Sequence, residues 1–380
     1  MTTVLSDWIA RQVGAGTIPG AVALLGRNEP EVVAAGVAAV DGAPMREDAI
    51  MRIQSMTKPI TAVAALRLVE AGQLSLDSSV EQWLPELADR RVLVDPGAAL
   101  DDTVPAVRPL TLRHLLTNTS GYGMLFADTP LHQAMIDNGT EAGWEPPAID
   151  ADEWLARLAE LPLAFQPGEG WRYHHSFAVL GIMLARLTGR PLGDHLEDDL
   201  FGPLGMTNTA QWVPEGKLDR LPAAYRHTDD GLVELEPAGG GRHAGPPPFD
   251  VSHRDLVSTV RDFHRFLRAL DGGGLPDGRP LISAEHLRHM TSDQVSDEHK
   301  TDEDLFPGFW NGMGWGFGVG VQTAGPRRGR YGWSGGAGTD FFLDPGGTIG
   351  ILFTQVGLGP RQIEAMLEEF QALPDQAALR

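Results

Sequence analysis

Arg52-Ile53-Gln54-Ser55-Met56-Thr57-Lys58-Pro59-Ile60 is the stretch on which the fold turns. Downstream of it Ala62, Ala65, Leu66 and Val69 recur at helical spacing, and Gly72 stands where a left-handed residue would end the helix. The helix is therefore expected to begin near Ser55. Pro59 agrees, because a residue without an N–H fits only the first turn. Positions i and i+3 of a helix share a face, with Cβ atoms about 5–6 Å apart, which puts Ser55 beside Lys58. A serine hydroxyl is a weak nucleophile until a neighbour takes its proton, and an amine whose charge is disfavoured by burial can be that neighbour. The N–H groups of the helix start point at the place where an oxyanion would form. The S-x-x-K pattern alone arises by chance in about one chain in ten of this serine and lysine content, so the surrounding sequence has to carry the assignment.

Outward from that helix, Gly20 to Gly26 reads as a buried strand, paired with Val32 to Val40 across an Asn28-Glu29-Pro30 turn. Leu110 to Thr117, Asp152 to Leu161, Phe177 to Thr188 and Pro191 to Leu200 carry helical patterns between loops rich in Pro and Gly. Leu256 to Leu270 predicts another helix, with Leu256, Val260, Phe263 and Leu267 on one face. The last third turns to strands at Gly316 to Thr323, Tyr331 to Trp333, Thr339 to Leu343 and Thr348 to Val356, and Ile363 to Phe370 closes as a helix. Asp344-Pro345-Gly346-Gly347 joins the last two strands as a hairpin. Strands at both ends with helices between predict an α/β (α+β) fold with an antiparallel sheet and a largely helical insertion. The expected organisation is one unit over 1–380. Its α/β part covers about 1–72 and 256–380, and its mainly helical part about 73–255. The loop from Gly239 to Pro248 is long for a compact chain and reads equally as functional or as a surface excursion.

The formal charge of −21 excludes a general basic surface, so neither nucleic acid nor an anionic membrane is an expected partner. The absence of cysteine removes disulfides, thiol catalysis and cysteine zinc sites. Leu5, Ile9 and Val13 recur four apart with no basic or apolar leader pattern before them, which predicts an amphipathic helix and a cytoplasmic protein. The longest apolar run, Phe177 to Ala185, ends at Arg186 and is too short to span a bilayer. His174, His175, His243, His286 and His289 show no metal-ligand spacing, and no phosphate or dinucleotide loop is present, so neither metal nor cofactor is expected.

The segment from Arg52 to Ile60 resembles the nucleophile segment of class C β-lactamase-like proteins. That family, related to the penicillin-binding proteins, includes the family VIII carboxylesterases and D-amino-acid amidases and peptidases. Leu74 to Leu84, Leu110 to Gly121, Pro203 to Thr209 and Leu256 to Thr259 are similar to further family segments, in order, although Asn118 stands where histidine is usual. The resemblance implies a β-lactamase/transpeptidase-like fold. It identifies Tyr173-His174-His175 as the counterpart of a Y-x-N motif, in which Tyr173 would share a proton with Ser55 and Lys58 and protonate the leaving group. A phenol held near two cationic groups can act as a base near neutral pH. His175 takes the place of an asparagine that would bind the lysine and a substrate amide; an imidazole makes one such bond, not both.

Trp333-Ser334-Gly335-Gly336 resembles the W-x-G form of the family's third motif. By that resemblance the N–H of Gly336 joins that of Ser55 as an oxyanion hole, and Trp333 and Gly335 line the substrate. Trp333 replaces a lysine that would pair with the carboxylate of a β-lactam. Arg327, Arg328 and Arg330 lie just upstream, where they could compensate for that lysine, but a solvated turn is the expected reading. The family's glycine-rich stretch before Leu256 is replaced by Asp250-Val251-Ser252-His253-Arg254-Asp255, which either narrows the cleft or forms a surface loop.

The expectation is a serine hydrolase working through an acyl-enzyme on a small-molecule ester, a carboxylesterase first. Amide hydrolysis of the D-amino-acid type comes next and β-lactam hydrolysis third, while acyl transfer shares the same first half. The competing class is a non-catalytic binding member, favoured by His175 and the lost glycines and opposed by the presence together of Ser55, Lys58 and Tyr173.

Overall fold

Strands that alternate apolar residues on both faces need cover on both sides, and the two ends of the chain supply it. The computed structural model describes residues 3–143, 148–248, 255–301, 305–359 and 361–377. Among them β1 (Gly20–Leu25), β2 (Glu31–Gly36), β3 (Met313–Trp315), β4 (Gly320–Gln322), β5 (Tyr331–Gly335), β6 (Thr339–Leu343) and β7 (Ile349–Phe353) form one antiparallel sheet. Its order is β2-β1-β7-β6-β5-β4-β3. The N-terminal and C-terminal segments meet within it as its second and third strands, where Val22 faces Phe353 and Leu24 faces Ile351.

The two-residue period of the strands sorts their side chains. Val22, Leu24, Phe341, Leu343, Ile351 and Phe353 enter the main core, while Ala21, Ala23, Phe342 and Leu352 enter a second core on the opposite face. Five helices matter to the site: α1 (Val4–Gly14), α2 (Thr57–Glu70), α3 (His175–Thr188), α4 (Val260–Arg268) and α5 (Arg361–Gln371). Helices α1 and α5 close the second core through Trp8 and Phe370, whose rings lie 5.5 Å apart. On the main-core face Phe263 of α4 meets Phe341 edge-on at 5.1 Å. Helix α2 is buried nearly all round from Thr57 to Leu66, as a helix apolar on every side must be. Burial on all sides carries Lys58 to 0% exposure.

Three elements differ from expectation. A 3-10 turn, Gln54–Met56, precedes α2, so Ser55 sits just before the α-helix rather than inside it. Val257 and Ser258 pair with Arg52 and Met51 as a short ladder instead of starting the helix. The helix starts after Thr259, whose hydroxyl accepts the N–H of Asp262; hydroxyl residues favour such caps over helix interiors. The predicted strand from Gly316 to Thr323 is broken by a turn at Gly318 (φ 77), so β3 and β4 form a hairpin. A Cβ at Gly318 would lie 2.9 Å from Phe177 Cζ and 3.1 Å from the Lys58 carbonyl oxygen, which leaves glycine as the residue that fits. The Asp344 to Gly347 hairpin forms as expected, with Gly347 at φ 85. No helix among the described residues is long and apolar enough to cross a membrane.

Candidate active site

Two neighbouring devices fix Ser55. Gln54 before it is left-handed (φ 49), a conformation that costs a non-glycine residue energy and recurs at functional sites. Thr339 Oγ1 of β6 donates to the Ile53 carbonyl at 3.2 Å and ties the turn to the sheet. Ser55 stays partly exposed while Lys58 behind it is fully buried, and Lys58 Nζ lies 3.0 Å from Ser55 Oγ. The i, i+3 neighbours of the sequence therefore meet.

Tyr173 reaches the same place from a distant part of the chain. Lys58 Nζ sits 4.4 Å from the centroid of its ring, and the Ser55 hydroxyl hydrogen-bonds the phenol. Trp333 Nε1 donates to the same phenol oxygen at 2.5 Å. Burial pushes the phenol well above its ordinary range; the hydrogen bonds from Ser55 and Trp333 pull the other way without cancelling it. This corrects the picture of a phenol between two cations. Lys58 stands on one side and an uncharged indole N–H on the other, and burial favours the protonated phenol.

The segment from Trp171 to Tyr173 is positioned by main-chain bonds. Arg172 N–H donates to the carbonyl of Asn118 at 3.0 Å, and Met124 N–H to that of Tyr173 at 2.8 Å. Asn118 is itself left-handed (φ 59) and fully buried. His174 has φ 93 at the entry to α3, which makes it, after Gln54 and Asn118, a third non-glycine residue at positive φ beside the candidate site. His175 is where expectation and structure part. Its ring is 1% exposed, Nε2 lies 2.7 Å from the Thr140 carbonyl oxygen, and the ring stacks on Trp154 at 6.0 Å. The first turn of α3 aims this side chain into the helical layer, so His175 belongs to packing contacts and not to the substrate wall.

β5 runs past the Ser55 turn. A Cβ on Gly335 would lie 2.2 Å from Thr339 Oγ1 and 2.3 Å from the Ile53 carbonyl oxygen, so only glycine permits this approach. Gly336 follows, partly exposed, and a Cβ there would lie 3.8 Å from Gln54 Oε1. The Gly336 carbonyl accepts the N–H of Leu358 at 2.9 Å, which fixes the plane of its peptide. Arg330 departs from the solvated turn: it is 3% exposed, paired with Asp344 at 2.6 Å on the far side of the sheet. Of the stretch from Asp250 to Asp255, residues 250–254 lie outside the described residues.

An aromatic enclosure surrounds Tyr173. Trp171 stacks on it at 5.9 Å, Trp315 meets it edge-on at 5.8 Å, and Trp315 and Trp333 meet at 4.6 Å. Phe309 and Trp310 extend the cluster, and its partly exposed rim consists of Met124, Leu305, Trp310 and Trp333. Sequence reasoning missed Met124, Phe309, Trp310 and Trp315. The only available signal was the density of aromatic residues between Phe306 and Trp315, which reads equally well as core. Arg52, three residues before Ser55, is also fully buried; it pairs with Glu236 at 3.0 Å and binds the carbonyls of Pro222 and Gly240. Glu236 also pairs with Arg242 at 3.1 Å, which anchors the long loop after it.

A family model described as Beta-lactamase matches residues 5–373. Protein Rv1367c of Mycobacterium tuberculosis is 36% identical over 352 residues, covering 89% of this chain and 86% of that protein. Esterase EstB of Burkholderia gladioli is 32% identical over 319 residues, covering 79% of this chain and 74% of its own length. Among solved structures, EstCE1, described as a hydrolase with promiscuous acyltransferase activity, superposes with a TM-score of 0.78 at 25% identity, over 96% of this chain and 97% of its own.

Proposed function

The chain belongs to the Beta-lactamase family and is a serine hydrolase of that fold, and from that premise we propose that it is a carboxylesterase with Ser55 as nucleophile. The observation that carries the reading is the Lys58 amine, fully buried and 3.0 Å from the Ser55 hydroxyl. Ser55 Oγ attacks the ester carbonyl carbon while its proton passes to the Lys58–Tyr173 pair. The N–H groups of Ser55 and Gly336 hold the oxyanion. On collapse the C–O bond to the alcohol breaks, and the alkoxide takes a proton from Tyr173, whose phenol is protonated and touches Ser55. Water then attacks the acyl-enzyme carbonyl and gives a proton to the Lys58–Tyr173 pair; the bond from the acyl carbon to Ser55 Oγ breaks, Ser55 Oγ takes that proton back and the carboxylic acid leaves. A cytoplasmic location, expected from the sequence, is part of the same reading.

Esters are favoured over β-lactams by the use made of Trp333. The position has no cation to meet a carboxylate, and its one donor is spent on Tyr173. Acyl transfer is a second outcome of the same acyl-enzyme. The apolar rim of Met124, Trp310 and Trp333 favours it, because such a surface can seat an organic alcohol and hold off water. The test is labelling by a fluorophosphonate together with turnover of a chromogenic ester and a chromogenic cephalosporin. Labelling that disappears in Ser55→Ala, with the ester much the faster substrate, is expected. A cephalosporin turned over faster by orders of magnitude would overturn the esterase preference, and no labelling would return the protein to the non-catalytic class. Added alcohol separates transfer from hydrolysis by product partitioning.

A further inference from the structure

β6 reads Thr339-Asp340-Phe341-Phe342-Leu343, and its second residue is a carboxylic acid with 0% exposure. An apolar residue there would pack against the second core at no electrostatic cost, whereas a buried carboxylate loses hydration that its hydrogen bonds only partly replace. Burial pushes the Asp340 carboxyl up to about 7, against the hydrogen bonds of Ser334 and Gln371 and the charge of Arg330.

Its contacts lead to the candidate site. Asp340 faces Ser334 across the β5–β6 ladder, and Ser334 Oγ donates to Asp340 Oδ1 at 2.7 Å. Gln371 Nε2, from the end of α5, donates to Oδ2 at 3.1 Å. Gln371 is held in turn by Arg330, whose Nη1 binds its carbonyl at 2.8 Å while the rest of the guanidinium pairs with Asp344. Strand alternation puts Ser334 on the face opposite Trp333, between the residue that binds the phenol and the glycines that pass Ser55. The main chain from Trp333 to Gly336, at and just past the end of β5, is thus within two residues of Ser334, whose side chain is linked through Asp340 to α5.

We propose that Asp340 is a positioning residue that acts through Ser334 to hold the Trp333–Gly336 end of β5 at the height the oxyanion requires. The proposal rests on the esterase reading and adds to it a determinant outside the substrate cleft. Misplacing preorganised donors by a fraction of an ångström costs rate and leaves ground-state binding largely intact, which gives the role a signature that loss of stability alone does not have.

The test compares Asp340→Asn, Ser334→Ala and the double variant with the parent protein. It measures fluorophosphonate labelling of Ser55, kcat and KM for a p-nitrophenyl ester, and the thermal midpoint. Each single variant is expected to be labelled, to lose about tenfold in kcat and to keep KM within about twofold; the double variant should be no slower than the worse single, because the two groups act as one unit. Ser334→Ala, a small change in a half-buried residue, carries the test if Asp340→Asn does not fold. Labelled variants with parental kcat, a loss confined to KM, or losses that multiply in the double variant would overturn the proposal alone. Failure to label Ser55 in the parent would overturn the esterase reading and this proposal with it.

Discussion

Trp333 shows how one hydrogen bond redefines a residue. Read as a substrate wall, it would act through its ring; its Nε1 also donates to the Tyr173 oxygen at 2.5 Å. Removing that N–H while keeping an aromatic ring takes away a donor that stabilises the phenolate, and burial then pushes the phenol higher still. Trp333→Phe is therefore expected to lower kcat about tenfold and to move the alkaline fall of kcat, where the phenol loses the proton it donates, to higher pH, with little change in KM. A pH–rate profile of the two proteins checks this; unchanged limbs would mean that the hydrogen bond has no part in proton transfer. At this scale the sequence was legible where spacing is local. Ser55 and Lys58 are neighbours because one helical turn makes them so, whereas the inward turn of His175 depends on Thr140 and Trp154, which no local spacing reveals.

Among the elements, β5 is decisive because it must approach the Ser55 turn without a side chain in the way. Gly335→Ala would put a methyl carbon 2.2 Å from Thr339 Oγ1 and 2.3 Å from the Ile53 carbonyl oxygen, and the strand or the turn has to move. A fall of about a hundredfold in kcat is expected, since a displacement near 1 Å at a reacting centre has that effect, together with a lower thermal midpoint. Stopped assays at saturating ester and a melting curve measure both; parental kcat would show that the turn yields freely. The strand itself was readable from its apolar alternation. Its partner β4 was read as part of a strand running from Gly316 because the sequence around Gly318 gives no hint that Phe177 and Lys58 crowd it, and β3 before that turn was not read as a strand.

Across the whole molecule, Arg52 joins regions far apart in the chain. It binds Glu236, the Pro222 and Gly240 carbonyls and Gln355, and so links the segment before Ser55 to the loop after residue 236 and to the end of β7. Burial alone would raise the Glu236 carboxyl, but His243, Arg52 and Arg242 outweigh it and hold it at about 2. A carboxyl depressed in the folded state lends stability above its ordinary value of 4.5 and loses it as pH falls from there through about 2. Acid unfolding of the parent should therefore include a step in that window. Glu236→Gln should remove the step, and it should also cost about 3–5 kcal/mol at neutral pH by leaving the Arg52 charge buried without its partner. Denaturant titrations at several pH values follow both effects, and equal stability of the two proteins at neutral pH would contradict the second.

The sequence by itself determined the helix that follows Ser55, the pairing of Ser55 with Lys58, the alternation of the sheet strands and the hairpin at Asp344 to Gly347. All of these are set by periodicities of two and 3.6 residues or by the local chemistry of a turn. Only the tertiary structure decided what surrounds Tyr173. The Trp333 donor lies 160 residues away in the chain, and the aromatic enclosure, the buried carboxyl behind β5 and the anchoring of the long loop all join distant segments. The reason is physical: local spacing fixes which residues share a face, but the polarity and protonation of a site are set by what is packed against that face and by how much water the packing removes.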